Sequence, residues 1–257
     1  MMGMGMFGQG FVGKLAFPSA NVSDRLEKTF TSVNFNMMIM IIYALITIAI
    51  FGMWYYARYE GNFLPSPKKT FNPMMIVAIV ILVPGTQFAA NFIANLTGYI
   101  RPDWLQQYNE LFETSGITDT TFVTVLYSVI LAPICEELIF RGVTMRCARK
   151  ALPFALANLM QAALFGLFHL NWIQGIYAFA LGIVLGYVCE RGGSIYYSMG
   201  LHLLFNLWGT LSGFFPDPGN SVVVFVVVIV VTIVSLVAGF VLFNKGRRKL
   251  PINSTGI

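Results

Sequence analysis

The residues able to do chemistry fall in three short stretches. They are Pro133-Ile134-Cys135-Glu136-Glu137-Leu138-Ile139-Phe140-Arg141, Phe165-Gly166-Leu167-Phe168-His169 and His202-Leu203-Leu204-Phe205-Asn206. Both histidines of the chain lie in them. Each stretch is embedded in apolar sequence, where an acid costs about 2.5–3.5 kcal/mol on insertion scales unless it faces the protein interior and finds a partner. Buried acids, imidazoles and amides at such positions serve acid–base catalysis, metal ligation or proton movement.

Spacing narrows the roles. Adjacent helical residues point about 100° apart, so Glu136 and Glu137 cannot aim at one spot. Glu137 and Arg141 are i and i+4 with the acid N-terminal, the better order for an ion pair. That pairing leaves Glu136 for another task. His202 and Asn206, again i and i+4, share one helix face. Counted from a turn near Ala151-Leu152, Glu136 and His169 stand at depths of about 22 and 27 Å. Counted from Gly193, Asn206 stands at about 20 Å. The three stretches can therefore meet in one layer.

The elements that must position them are membrane helices. The chain has 257 residues, 57% hydrophobic and 11% charged, against about 25% charged in soluble domains. With a mean hydropathy of +0.72 and 23 Phe, this excludes a water-soluble globule, a disordered tail and a nucleic-acid module. A span needs roughly 20 apolar residues. Seven segments qualify, near 35–57, 73–99, 121–141, 153–171, 173–189, 194–213 and 221–243. The expected fold is all-α, a polytopic transmembrane bundle of about seven spans, or eight if a further crossing lies within 1–34. Residues 1–34 read as an interfacial or re-entrant segment. Residues 35–120 read as two peripheral helices and an outer loop, 121–213 as a four-helix core, and 214–257 as a last helix with a basic tail. Pro84-Gly85 should kink the second span, and Pro133 should bend the third just before the acidic pair. Pro153 can open a helix.

Charge sets the orientation. With the C-terminus in the cytoplasm, the inside receives Arg58, Lys68, Lys69, Arg141, Arg146, Arg149, Lys150, Arg191, Lys245, Arg247, Arg248 and Lys249. Lys14, Arg25, Lys28 and Arg101 fall outside. Twelve against four is a positive-inside bias, and it explains the net charge of +5 without a polyanionic partner. The loop from Arg101 to Thr120, with Asp103, Glu110, Glu113 and Asp119, suits the outer face. Cys135, Cys147 and Cys189 are odd in number and lie in or beside apolar segments, so they do not read as a disulfide framework. Phe165 and Phe168 read as packing, and Asn158, Gln161, Asn171 and Gln174 as helix-end or interhelical polar groups. Asn21-Val22-Ser23 and Asn253-Ser254-Thr255 match the short glycosylation acceptor pattern.

The three stretches resemble the EExxxR, FxxxH and HxxxN/D motifs of the CAAX proteases and bacteriocin-processing enzymes, the CPBP or Abi family of membrane endopeptidases. Here they stand as Glu136-Glu137-Leu-Ile-Phe-Arg141, Phe165-Gly-Leu-Phe-His169 and His202-Leu-Leu-Phe-Asn206. Gly142, and the helix carrying Gly182 and Gly186, also fit. The resemblance covers about residues 121–213. It implies a metal-independent, glutamate-type intramembrane protease. Glu136 would activate water with help from His169. His202 and Asn206 would form the oxyanion hole, and Glu137 with Arg141 would hold the first carboxylate in place. It further implies membrane lipid and a protein or peptide substrate as partners, lipidated in some members, and no cofactor. The compact core and short loops suggest the cell membrane of a prokaryote.

Other readings use the same residues. Glu136, His169 and His202 could form a two-His, one-carboxylate zinc site with an open position for water. A scaffold or immunity protein would keep the bundle without needing the full constellation. A proton-coupled transporter would use buried acids and histidines, yet no paired inverted repeats or matched broken helices occur in the sequence.

Overall fold

The computed structural model describes residues 33–60, 72–115, 121–212 and 221–247. The expected N-terminal interfacial segment lies outside these residues up to residue 32. So do Lys14, Arg25, Lys28, Lys68, Lys69, Asp119, Arg248, Lys249 and the Asn21 and Asn253 motifs.

Among the described residues eight helices follow in order: α1 Val33–Tyr55, continued by a π turn over Tyr56–Glu60; α2 Pro73–Ile100; α3 Pro102–Ser115; α4 Phe122–Ala148; α5 Phe154–Phe168; α6 Trp172–Gly192; α7 Ile195–Ser212; and α8 Val222–Gly246. No strand occurs among the described residues. Five helices, α1, α2, α4, α6 and α8, are long and apolar enough to cross a bilayer, which makes this an integral membrane protein. The other two expected spans are less clear-cut. Helix α5 is apolar but has 15 residues, about 22 Å, and α7 is interrupted by Ser198, His202, Asn206 and Thr210. Helix α7 packs inside the bundle, whereas α5 buries one face, with Ala157, Gln161 and Phe165, and leaves Leu156, Leu159 and Leu167 exposed on the other.

The core lies where α2, α6, α7 and α8 meet, around Leu82, Leu185, Val188, Leu201 and Phe243. Helix α8 turns most of its Val and Ile outward, with Val222 77% exposed and Val234 59%, as a lipid-facing helix should. Its inner edge meets α2 at the expected weak point. Pro84 carries no N–H, and the Gly85 N–H donates instead to Ser235 Oγ at 2.9 Å. The Ser235 hydroxyl in turn donates to the Ile81 carbonyl. A side chain from α8 thus repairs the ladder that proline opens, and α2 runs on through Pro84 as one helix.

Three local signals place the helix ends. Asn72 caps α2, accepting from Met74 N at 2.9 Å, with Pro73 at N1. Its amide also donates to Gly246 O at 2.6 Å, and its N–H to the Tyr197 hydroxyl at 2.8 Å, joining α2, α7 and α8. Asn171 caps α6 by accepting from Gln174 N at 3.1 Å. Gly193 ends α6 at φ 66°, a left-handed conformation that favours glycine.

The acidic loop expected over 101–120 is partly helical. Helix α3 is amphipathic and lies across one end of the bundle, with Trp104 stacked on Trp172 at 5.3 Å and Tyr108 hydrogen-bonded to Tyr177. Trp104, Tyr108 and Leu111 recur at i, i+4 and i+7, a period hidden in the sequence by the acids between them. Cys135, Cys147 and Cys189 are all free of disulfides.

Candidate active site

Helix α4 supplies the acids and is not a plain α-helix. A π segment over Leu126–Leu131 precedes Ala132–Glu137, and a second over Leu138–Met145 follows it. Such widened turns concentrate at functional sites. Proline explains the first. The Ala132 N–H bonds back to Tyr127 O, and Pro133 has no N–H, so the Ser128 carbonyl lacks its i+4 and i+5 donors. The Asn206 amide of α7 fills that place, donating to Ser128 O at 2.8 Å.

The two glutamates point to different worlds. Glu137 is fully buried and bonds Arg141, itself fully buried, at 2.8 Å. The guanidinium also donates to Gly182 O on α6 at 3.3 Å and lies over the Phe165 ring at 4.4 Å. A cation on a desolvated ring is worth about 2 kcal/mol. The clamp needs α6 close, and Gly182 permits it, because a Cβ there would stand 3.1 Å from Ala162 and 3.2 Å from the Phe165 ring. Gln161 donates to the same Gly182 carbonyl at 2.8 Å, and Asn158 to Ile183 O at 3.0 Å. These are the interhelical polar contacts expected of both.

Glu136 faces the other way, with its side chain 15% exposed. It lines a small cleft with Tyr43 and Ala44 of α1, Tyr127, Ala132, Cys135 and Ile139 of α4, and Phe168 of α5. The walls around this carboxylate are apolar, and the space beside it is about that of a single water molecule.

His202 joins the two acids. Its Nδ1 stands 3.0 Å from Glu137 Oε1 and its Nε2 is 3.6 Å from Glu136 Oε2. This imidazole thus stands between the Glu137–Arg141 pair and Glu136. His169 caps the end of α5, its Nδ1 2.8 Å from its own Phe165 carbonyl, which leaves Nε2 as its outward nitrogen. It lies within Coulombic reach of Glu136 and His202. His202 and Asn206 share one face, as their spacing requires, and both address α4. Phe165, read from sequence as packing, touches more of the site than that word suggests. Its ring is edge-on to His169 at 4.9 Å and His202 at 5.7 Å while supporting Arg141. Nothing in the sequence pointed to Ser128, because a backbone carbonyl leaves no residue signature; Gly182 stood out as part of a glycine-bearing helix, but the role of its carbonyl did not.

Among the described residues no group of three or more His, Cys, Asp or Glu is arranged to hold a metal ion.

Residues 118–208 match the family model described as type II CAAX prenyl endopeptidase, Rce1-like. No characterised protein and no solved structure matches the chain. The match takes in about a third of the sequence, from the approach to α4 to Asn206 and just beyond, and includes all three motifs. Residues 118–208 are thus similar to the Rce1-like CAAX endopeptidases, the kind of enzyme whose motifs the three stretches resemble.

Proposed function

We propose that the chain is an intramembrane endopeptidase in which Glu136 activates water. The observation that carries this reading is the division of labour between adjacent acids. Glu137 is neutralised by Arg141 in the dry core, while Glu136 faces a cleft and has His202 Nε2 beside it. In the proposed step Glu136 takes a proton from water as the oxygen bonds to the scissile carbonyl carbon. The carbonyl π electrons move to its oxygen, which accepts hydrogen bonds from His202 Nε2 and the second Nδ2 hydrogen of Asn206. Collapse breaks the C–N bond, and the proton held by Glu136 passes to the leaving nitrogen. The products are a carboxylate and an amine. His169, with Nδ1 held at the Phe165 carbonyl, keeps Nε2 for helping to place the water. The substrate is a membrane-associated protein or peptide, and the C-terminus of the enzyme lies in the cytoplasm of a prokaryotic cell.

Asn206 tests the oxyanion assignment. Asn206→Ala is expected to lower kcat by about 10²–10³ with KM nearly constant, since an interaction made in the transition state is lost from both kcat and kcat/KM. Michaelis–Menten analysis of the purified variant checks this. A many-fold rise in KM at unchanged kcat makes Asn206 a substrate-binding residue. A fall in thermal stability with kcat intact reduces it to a lock on the Ser128 carbonyl.

The zinc reading is separated by chelation. Activity of the purified enzyme is expected to survive exhaustive treatment with a strong chelator. Loss of activity that zinc restores would replace the metal-free mechanism.

A further inference from the structure

Glu137 and Arg141 do not pair as fully as the two groups allow. Their contact is a single bond, from Arg141 Nη1 to Glu137 Oε1 at 2.8 Å. Arg141 Nε and Glu137 Oε2 are both buried, and neither has a hydrogen-bond partner among the described residues in this arrangement. A guanidinium and a carboxylate usually meet through two parallel bonds, and a buried charged group left short of a bond is costly.

The carboxylate turns towards α7 instead. His202 Nδ1 stands 3.0 Å from the same Oε1, and an ionised carboxylate only accepts, so Nδ1 carries the proton. The hydroxyl of Ser198 also faces Glu137. Ser198 and His202 are i and i+4, which puts both on one side of α7, and they are 0% and 3% exposed. The Ser198 hydroxyl donates to the Ile195 carbonyl one turn back at 3.0 Å, as helical serines commonly do. A rotation about its Cβ–Oγ bond carries that proton to Glu137.

Resting on the reading of Glu136 as the base, we infer that Ser198 is a positioning residue: its hydroxyl keeps the Glu137 carboxylate turned away from two-bond pairing with Arg141, so that Oε1 stays on His202 Nδ1. That bond fixes the plane of the imidazole and directs Nε2 towards Glu136 and the oxygen that gains charge during attack. Without the hydroxyl, the unpartnered Nε of Arg141 draws the carboxylate into a second bond. The ion pair tightens and the imidazole is released. Ser198 thus exchanges stability for function, the reverse of what an ordinary buried contact does.

Ser198→Ala tests this, since it removes one buried oxygen and adds no atom. In the purified full chain, kcat is expected to fall about 10-fold with KM nearly unchanged, while the melting temperature stays at or above that of wild type. The second readout needs no catalysis. The chain has two histidines, so labelling them with ¹⁵N gives two imidazoles, told apart by His169→Gln. In wild type the proton on His202 Nδ1 is expected to resonate downfield and exchange slowly, because it is bonded to Glu137. In Ser198→Ala that signal should move upfield or be lost to exchange. An unchanged signal overturns the proposal, and with a lowered melting temperature it makes Ser198 a packing residue. A changed signal with kcat within about twofold of wild type overturns it as well. If wild type shows no Glu136-dependent cleavage, the reading of Glu136 fails by itself, and the signal still decides whether Ser198 holds the carboxylate.

Discussion

Glu136→Gln is expected to bring peptide hydrolysis down to background, a loss of about 10²–10⁴-fold or more, while the protein inserts, folds and melts as the parent does. The amide keeps the volume of the carboxyl group and can still face His202. It cannot take a proton from water. The structure makes the variant a fair test, because the 3.6 Å contact with His202 is longer than a hydrogen bond and the side chain opens on a cleft. Little stability rests on it. Activity and thermal unfolding are to be measured on one detergent-solubilised preparation. Retained cleavage by a well-folded Glu136→Gln protein would sink the assignment of the base.

Arg141→Ala is expected to act mainly on folding. The guanidinium is fully buried and holds three partners at once: Glu137, the Gly182 carbonyl and the face of Phe165. Its removal leaves Glu137 as a buried acid facing only polar groups such as the His202 imidazole, 3.0 Å away. Breaking one side of a buried pair costs about 3–5 kcal/mol, a large share of the 5–15 kcal/mol that holds a domain together. A marked drop in melting temperature and poor recovery from membranes should follow. The double change Glu137→Gln with Arg141→Ala should regain part of the stability, because no uncompensated charge then remains. It should regain little activity, because His202 loses the anion that orients its ring. An Arg141→Ala protein that melts like the parent would show that the clamp carries no stability.

The same physics separates what was legible in the residues from what was not. An i, i+4 pair inside apolar sequence has few alternatives to bonding, and Glu137–Arg141 bonds as its spacing requires. The polar groups at helix ends follow the same local logic, and Asn171 caps α6. Helix α3 was missed because its period is carried by three side chains among acids, and its reason to form is the Trp172 and Tyr177 surface beneath it. Pro84 and Pro133 were visible as breakers of the hydrogen-bond ladder. The repair of each by a side chain from another helix, Ser235 for one and Asn206 for the other, was not.

By itself the sequence determined that this is a membrane helical bundle, that its rare polar residues form three motif-bearing stretches, and that Glu137 belongs to Arg141. Those properties follow from transfer cost and from the repeat of a single helix, and both are local. Only the tertiary structure decided that His202 stands between two acids and that Phe165 braces Arg141 and both imidazoles. These depend on how each helix is rotated and how closely it approaches its neighbours. Rotation and approach are set by small residues such as Gly182 and by the summed packing of every other side chain, which no spacing along one chain records.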